Sequence, residues 1–551
     1  MKLSLKNMFT DKKPEDFSTV EYLVAMLKAY GIKNIVASPG TKNANFNFMI
    51  QEDDFFTATS IIDERSAAYV ATGIAYETNE PVVITCTGAT ASRNWLSALT
   101  EAYYRKIPII ALSFYANTYN NFSLSAQYVD RSVSQNDIKY MSLELPEIKD
   151  KRDLEKALTY INAALSASKY YGLPVHINCP ETTKLTDFKD FSKNIWKTEF
   201  YFEDFVKEKE YLRNKKLGIF IGAHKKFSEK EIKAISEFAE SYDAPVFCDH
   251  TSQYTGSNKI LISQACAITD APKLLDLVID LRGITPEYHF AKIFKQKEIW
   301  NISTDNTFKN RLNLPVNKIF VCSESEFFNS MKNDNAEKNG IYAEIKNKIE
   351  NSEAIEIPFS NPYICRKLSK KLPKNSSLHL AILNSLRSMN YYNLDESITV
   401  NANVGGFGID GALSTMLGQS IAAPNKKIFG LLGDLAFIYD MNALAYRNIK
   451  NNLRILLVNN GLGVEFKFNA KREEIYKEKT NVLVAAEGHA KNGAKAWAES
   501  SGFHYISARN KEDFDKLIDD FCNKEYDKPV LFECFTKVED EQYSFAKLGL
   551  C

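Results

Sequence analysis

Short runs of β-branched and apolar residues alternate with longer amphipathic stretches along almost the whole chain. In the first third the runs are NIVASPG, PVVITCTG, IPIIALSF and LPVHINCP. In the last third they are SITVNANVGG, KIFGLLGD, LRILLVNNG and PVLFECFT. Continuous apolar strands between amphipathic helices predict parallel sheets covered on both faces. A first such region closes near residue 185, after GLPVHINCPETTKL. The charged, aromatic stretch DFKDFSKNIWKTEFYFEDFVKEKEYLRNKK then reads as a linker with some helix. A second region runs from KLGIFIGAHKK to about residue 345, and a third begins near Ser360. The predicted fold class is α/β, with three consecutive doubly wound parallel-sheet domains at 1–185, 186–350 (linker included) and 351–551. No low-complexity tract or short repeat interrupts this plan.

Ligands of such sheets lie outside the carboxyl ends of the strands, so the residues just after each strand carry the information. In GLLGDLAFIYDMNALAYRNIKNNLRILLVNNGLG, one strand ends at Gly433-Asp434 and the next at Asn459-Asn460-Gly461. Asp434 and Asn460 are 26 residues apart, which a helix and a strand fill. A right-handed βαβ unit therefore brings both strand ends side by side. A carboxylate, an amide oxygen and a turn carbonyl are hard ligands that suit Mg²⁺ together with phosphate oxygens and water. Gly433, Gly461 and Gly463 permit close backbone approach to a pyrophosphate. The alternative is a helix-capping Asp and an ordinary NNG turn. Upstream, NANVGGFGIDGALSTMLGQSIAAP isolates Ile409 among Gly405, Gly406, Gly408 and Gly411. That pattern is either an apolar wedge against a ligand or a tight strand–helix turn.

Three strand ends of the first region are also polar. VASPGTKNANF offers Pro39, Gly40, Thr41 and Lys42, and TCTGATASRNW offers Thr85, Thr87 and Gly88. Between them, IIDERSAA places Asp63 and Glu64 where an apolar run gives way to a small-residue helix. Acids at such a joint commonly cap the helix; one of them could equally serve chemistry.

The chain has 551 residues, with 69 Lys+Arg against 69 Asp+Glu. Zero net charge gives no support to a nucleic-acid or anionic-membrane partner held by bulk electrostatics. The N-terminal stretch MKLSLKNMFTDKKPEDF has no apolar core of signal-peptide length, and no run reaches the length of a membrane span. The nine cysteines are scattered, without a CxxC pair, and read as reduced core residues of a cytoplasmic protein. His250 and His289 stand alone and read as structural or surface residues. The middle region shows no nucleotide fingerprint. The stretch KREEIYKEKT reads as a charged solvated face or a lid.

Glu64 in IIDERSAA, GLPVHINCP, GID at 408–410 and GD…NN at 433–460 together resemble thiamine-diphosphate-dependent enzymes of the decarboxylase/carboligase superfamily. Within it the chain is most similar to the 2-succinyl-5-enolpyruvyl-6-hydroxy-3-cyclohexene-1-carboxylate synthases, in the SPG turn, the IDERSAA helix, the GIDG turn and the GDL…YDMNAL…VNN block. The resemblance implies that Asp434, Asn460 and the Leu462 carbonyl hold Mg²⁺. It implies that Ser385, Gly408, Ile409, Asp410, Gly433, Leu435, Gly463, Pro39 and Thr87 line the thiamine diphosphate site, with Ile409 as the wedge that bends the cofactor. Glu64, from a neighbouring copy, would hydrogen-bond a ring nitrogen of the aminopyrimidine and stabilise its proton-accepting tautomer. A homodimer or homotetramer follows, acting on a 2-oxo acid and an acceptor carbonyl.

The substrate positions depart from that family. Its arginines fall here on Val404 and Met389, its central basic pair falls near Glu287-Tyr288, and the Arg after its first turn is Lys42. Bidentate clamps for several carboxylates are therefore missing. Glu465 replaces an aliphatic residue and is a candidate acid/base, or else a solvated helix residue. Thr41, Lys42, Gln127, Val404, Met389 and Phe466 are the candidate substrate contacts. The expectation is retained cofactor chemistry with a changed substrate pocket.

Overall fold

The structure, a computed structural model, describes residues 18–88, 90–115, 135–181, 208–287, 290–295, 297–304, 317–338, 340–468, 481–489 and 493–550. Gln127, Tyr288, His289 and the KREEIYKEKT stretch lie outside them. The chain divides into two compact units, residues 1–200 with 417–422, and residues 201–416 with 423–551.

The first unit holds a six-stranded sheet: β1 (Asn34–Ala37), β2 (Thr57–Ser60), β3 (Val82–Thr87), β4 (Ile109–Tyr115), β5 (Met141–Glu144) and β6 (Val175–Pro180). Their order is β2-β1-β3-β4-β6-β5, and every neighbouring pair is parallel. All seven residues of β4 are buried, which explains its unbroken apolar sequence. Local signals set the helix ends. Ser18 and Glu21 form a capping box on the helix Thr19–Ala29. Gly172, at φ +66°, ends the helix Lys151–Tyr171, and a Cβ there would stand 2.8 Å from the Lys106 carbonyl oxygen.

The second unit holds two more six-stranded parallel sheets. The central one contains β7 (Leu217–Ile221), β8 (Val246–Cys248), β9 (Lys259–Leu261), β10 (Leu277–Asp280), β11 (Glu298–Ser303) and β12 (Lys318–Val321), ordered β12-β11-β10-β7-β8-β9. The third contains β13 (Ser377–Leu380), β14 (Thr399–Asn401), β15 (Ile428–Gly433), β16 (Leu453–Asn459), β17 (His504–Ala508) and β18 (Val530–Phe535), ordered β14-β13-β15-β16-β18-β17. The first and third sheets thus share one strand order, although no repeat is visible in their sequences. Three parallel sheets with flanking helices are the architecture that the alternation predicts. Among the described residues no helix is long and apolar enough to cross a membrane. The eight described cysteines are all free and buried.

Candidate cofactor site

In the third sheet the chain changes direction between β13 and β15, since β14 lies on one side of β13 and β15 on the other. Such a switch point opens a crevice at the carboxyl ends. On the β13 side, Leu383 is held at φ 65°, ψ −120° just before the helix Asn384–Met389. A residue with a Cβ adopts that conformation only where its surroundings over-determine it. Ser385, in the first turn, is buried, and its hydroxyl oxygen accepts from Asn361 Nδ2 at 3.5 Å.

On the β15 side, Gly433 leads into the helix Asp434–Asp440. The Asp434 carboxylate accepts from the backbone N–H of Leu435 at 2.9 Å and of Gly461 at 2.7 Å. The second bond crosses from the end of β15 to the turn after β16, so the Asp434 and Asn460–Leu462 segments meet. Gly461 sits at φ +84°, and Asn460 Oδ1 accepts from Leu462 N–H at 3.4 Å. The Gly463 N–H donates to the Ala485 carbonyl at 2.6 Å, and Leu435 and Gly463 are half-buried. In the GID turn, a Cβ on Gly408 would lie 2.1 Å from Asp410 Oδ1, so a larger residue there would make the Asp410 side chain move. Ile409 beside it is left half-buried.

The donor set suits a magnesium diphosphate: one carboxylate, one amide and the Leu462 carbonyl, framed by glycine turns. Among the described residues no group of three or more His, Cys, Asp and Glu could hold a metal. His489 was not anticipated from sequence. Its Nε2 stands 3.3 Å from Asp434 Oδ2, and this bond raises the imidazole pKa above its ordinary 6.5 against the opposing effect of burial. Glu541 was also not anticipated. It is fully buried, accepts from Thr536 Oγ1 at 2.7 Å and from the Asn361 N–H at 3.0 Å, and burial pushes its pKa up to about 7.

On the substrate side, Met389 and Val404 are fully buried in the apolar core of the third sheet. Glu465 lies in the short 3-10 helix Val464–Lys467 and forms an ion pair with Arg387. Arg387 stands two residues before Met389, about half a helix turn earlier than the position the resemblance singles out. Phe466, next to Glu465, is 42% exposed.

Glu287 marks a further buried acid. It sits after β10, is 1% exposed, and accepts from Asn390 Nδ2 at 2.8 Å. Burial raises its pKa to about 7; Asp249 adds to this, while bonds from Ser263 and Asn390 and the charge of Arg387 oppose it. His250 is structural, as expected: its N–H donates to Asn390 Oδ1 at 3.2 Å, its Nε2 lies 2.9 Å from the Tyr392 carbonyl, and burial lowers its pKa to about 3.

In the first sheet the switch point lies between β1 and β3. Gly40, after β1, packs on Thr87 at the end of β3: a Cβ on Gly40 would meet Thr87 Cγ2 at 2.2 Å. Asn43 fastens this corner, accepting from the Gly40 N–H at 2.9 Å and donating to the Ser38 carbonyl at 3.1 Å. Pro39 and Thr41 are exposed and Lys42 is half-buried. On the other side of β1, β2 leads to the helix Glu64–Thr78. Asp63 is its N-cap, accepting from Arg65 N–H at 2.9 Å and Ser66 N–H at 3.4 Å. Glu64, the first helical residue, takes no part in the cap. It is half-buried and accepts from Asn94 Nδ2 at 3.4 Å. Asn94 follows the third strand end, and nothing in the sequence tied it to Glu64.

Residues 17–142 match the family described as "Thiamine pyrophosphate enzyme, N-terminal TPP binding domain", and residues 385–534 match "Thiamine pyrophosphate enzyme, C-terminal TPP binding domain". The chain is 28% identical to the 2-succinyl-5-enolpyruvyl-6-hydroxy-3-cyclohexene-1-carboxylate synthases of Bacteroides fragilis and Bacteroides thetaiotaomicron, with 96% of this chain and 97% of each relative covered. It is 25% identical to the Staphylococcus aureus protein of the same name, covering 81% of this chain and 83% of that one. The chain belongs to the thiamine pyrophosphate enzymes and is an enzyme of that family.

Proposed function

We propose that the chain binds thiamine diphosphate with Mg²⁺, decarboxylates a 2-oxo acid and joins the resulting acyl group to an acceptor carbonyl. The observation that carries this reading is the bond from the Gly461 N–H to Asp434, which gathers a carboxylate, an amide and a turn carbonyl at neighbouring strand ends. Asp434, Asn460 and the Leu462 carbonyl would hold the metal, and the backbone around Gly433, Leu435 and Gly463 would cradle the diphosphate. Ser385, Gly408, Ile409 and Asp410 would line the rest of the cofactor, with Pro39 and Thr87 beside the pyrimidine. When bound, thiamine diphosphate supplies a nucleophilic carbon and an electron sink for decarboxylation. Glu64 would hold a proton at the pyrimidine nitrogen, with Asp63 left to cap the helix and Asn94 fixing one carboxylate oxygen. Glu64 of one copy would serve the cofactor held by a second, in a homodimer or homotetramer. Thr41, Lys42 and Phe466 would meet substrate.

Loading the protein with thiamine diphosphate and Mg²⁺ and measuring carbon dioxide from a panel of 2-oxo acids tests the proposal. Tight cofactor binding with no carbon dioxide from any donor would leave a silent, cofactor-binding subunit instead. A second reading, the synthase activity in the relatives' name, is favoured by their full-length similarity. Turnover of 2-oxoglutarate with isochorismate would establish it. The departures at Val404, Met389 and Glu465 favour the first reading.

A further inference from the structure

The Arg387–Glu465 ion pair joins the two banks of the crevice in the third sheet. Arg387 comes from the helix after β13, Glu465 from the turn after β16, and Asp434 follows β15, which lies between those strands. The Arg387 side chain is 3% exposed. Its guanidinium also donates to Asn384 Oδ1 at 3.2 Å and to the Leu550 carbonyl at 3.4 Å, and it lies 5.9 Å from the Phe545 ring centroid. A cation so committed serves to hold its neighbour. Glu465 keeps 21% of its side chain exposed, two residues beyond Gly463 and beside the exposed Phe466.

We infer that Glu465, held by Arg387, determines the choice of acceptor: it selects a carbonyl compound bearing hydroxyl or ammonium groups and rejects one bearing a carboxylate. The inference rests on the proposed decarboxylation and ligation. A 2-oxo acid donor must bring one carboxylate, but that group leaves as carbon dioxide while the electrons of the broken C–C bond stay on the acyl carbon. This carbon then bonds to the acceptor's carbonyl carbon, and the acceptor oxygen takes up one proton. An acceptor keeps its own charges throughout, so a fixed anion discriminates at that step. Like charges brought together in a partly desolvated crevice repel, whereas hydroxyl and ammonium donors bond to the carboxylate. Arg387 is a positioning residue, because it acts through Glu465.

4-(Hydroxymethyl)benzaldehyde and 4-carboxybenzaldehyde differ in hydroxymethyl against carboxylate and neither is a 2-oxo acid, which makes them matched acceptor probes. With the cofactor-loaded enzyme and a donor that releases carbon dioxide, kcat/KM for the hydroxymethyl aldehyde should exceed that for the carboxy aldehyde by at least ~10-fold. Glu465→Gln should lower the ratio by roughly 10-fold. Arg387→Lys should keep more of it than Arg387→Ala. The ratio is read within each variant, so a general loss of rate or of folded protein cancels. Wild-type preference for the carboxy aldehyde, or a ratio unchanged in Glu465→Gln, would overturn the assignment. Absence of carbon dioxide from every donor would instead sink the proposed decarboxylation. In that event ligand-observed NMR with the same two probes decides: stronger binding of the carboxy aldehyde overturns the inference, and stronger binding of the hydroxymethyl aldehyde supports it.

Discussion

Glu287→Gln should stabilise the second unit at neutral pH and not at acidic pH. Glu287 lies behind the helix Asn384–Met389, bonded through Asn390 at its end, so its protonation bears on the wall that carries Ser385 and Arg387. Its pKa is raised from 4.5 to about 7 by burial first and by Asp249 second. For an acid raised on folding, the native state binds more protons than the unfolded state between those two values. Stability therefore falls as pH rises from about 4.5 to about 7. The full span corresponds to roughly 3 kcal/mol at 1.36 kcal/mol per pKa unit. Below this window both states are protonated and the cost is absent; above it both are ionised and the cost is complete. A glutamine keeps the acceptor for Asn390 and supplies a donor, without a charge to bury. Thermal or urea unfolding of wild type and variant at pH 5, 6, 7 and 8 checks this. The midpoint difference should be near zero at pH 5 and grow to a gain on the order of 5 °C at pH 8. Glu541, raised by burial into the same range, titrates in both proteins and cancels in the difference. A difference that does not change with pH, or a variant destabilised equally at pH 5 and 8, would refute the reasoning.

Glu64→Gln should retain cofactor affinity, measured by calorimetry, while turnover falls by about 10²–10⁴-fold; an unaffected rate removes the proton-holding role. Asp434→Ala should abolish Mg²⁺-dependent cofactor binding in the same titration, and unchanged affinity would mean that the metal is held elsewhere. Gly222→Ala should unfold the second unit at lower temperature by several degrees, because its Cβ would stand 2.4 Å from the Gly283 carbonyl oxygen, a backbone atom that cannot swing away. A wild-type melting curve for that variant would show that the two strand ends part easily.

What could be read from the sequence was local or fixed by one βαβ step. The Gly433-Asp434 and Asn460-Gly461 ends are joined by a single helix and strand, so handedness alone sets them side by side. Asp63 and Glu64 were told apart by resemblance, and the cap that Asp63 makes involves only the next three residues. The contacts that escaped span far more chain. Arg387 and Glu465 are 78 residues apart, and Asn390 and Glu287 are 103 apart. Neither pair is set by one crossover, and no periodicity announces either. At Val404 and Met389, where the resemblance places the family's arginines, the aliphatic side chains turn into the core. Arg387, two residues before Met389, is turned toward Glu465.

The three sheets share one construction and differ in what fills the switch point. In the first and third, polar turns bound it: Gly40 and Thr87 in one, Ser385 and Asp434 in the other. The central sheet, whose strand order would place a ligand between β7 and β10, is sealed there instead. The ladder runs on past the strand ends, with the Gly222 N–H donating to the Arg282 carbonyl at 3.1 Å and the Ala223 N–H to the Ile284 carbonyl at 2.7 Å. Gly222 and Gly283 are the residues that let the two backbones come so close. Beyond the seal, Ala223 and Ile284 join the apolar core of the third sheet. Asn390, Tyr391 and Tyr392 bond to Glu287, Gln264 and His250 of the central domain. Between those strands the crevice is closed by backbone hydrogen bonds. The central domain instead braces the helix that bears Ser385 and Arg387. Its effect on chemistry should therefore run through the orientation of that helix.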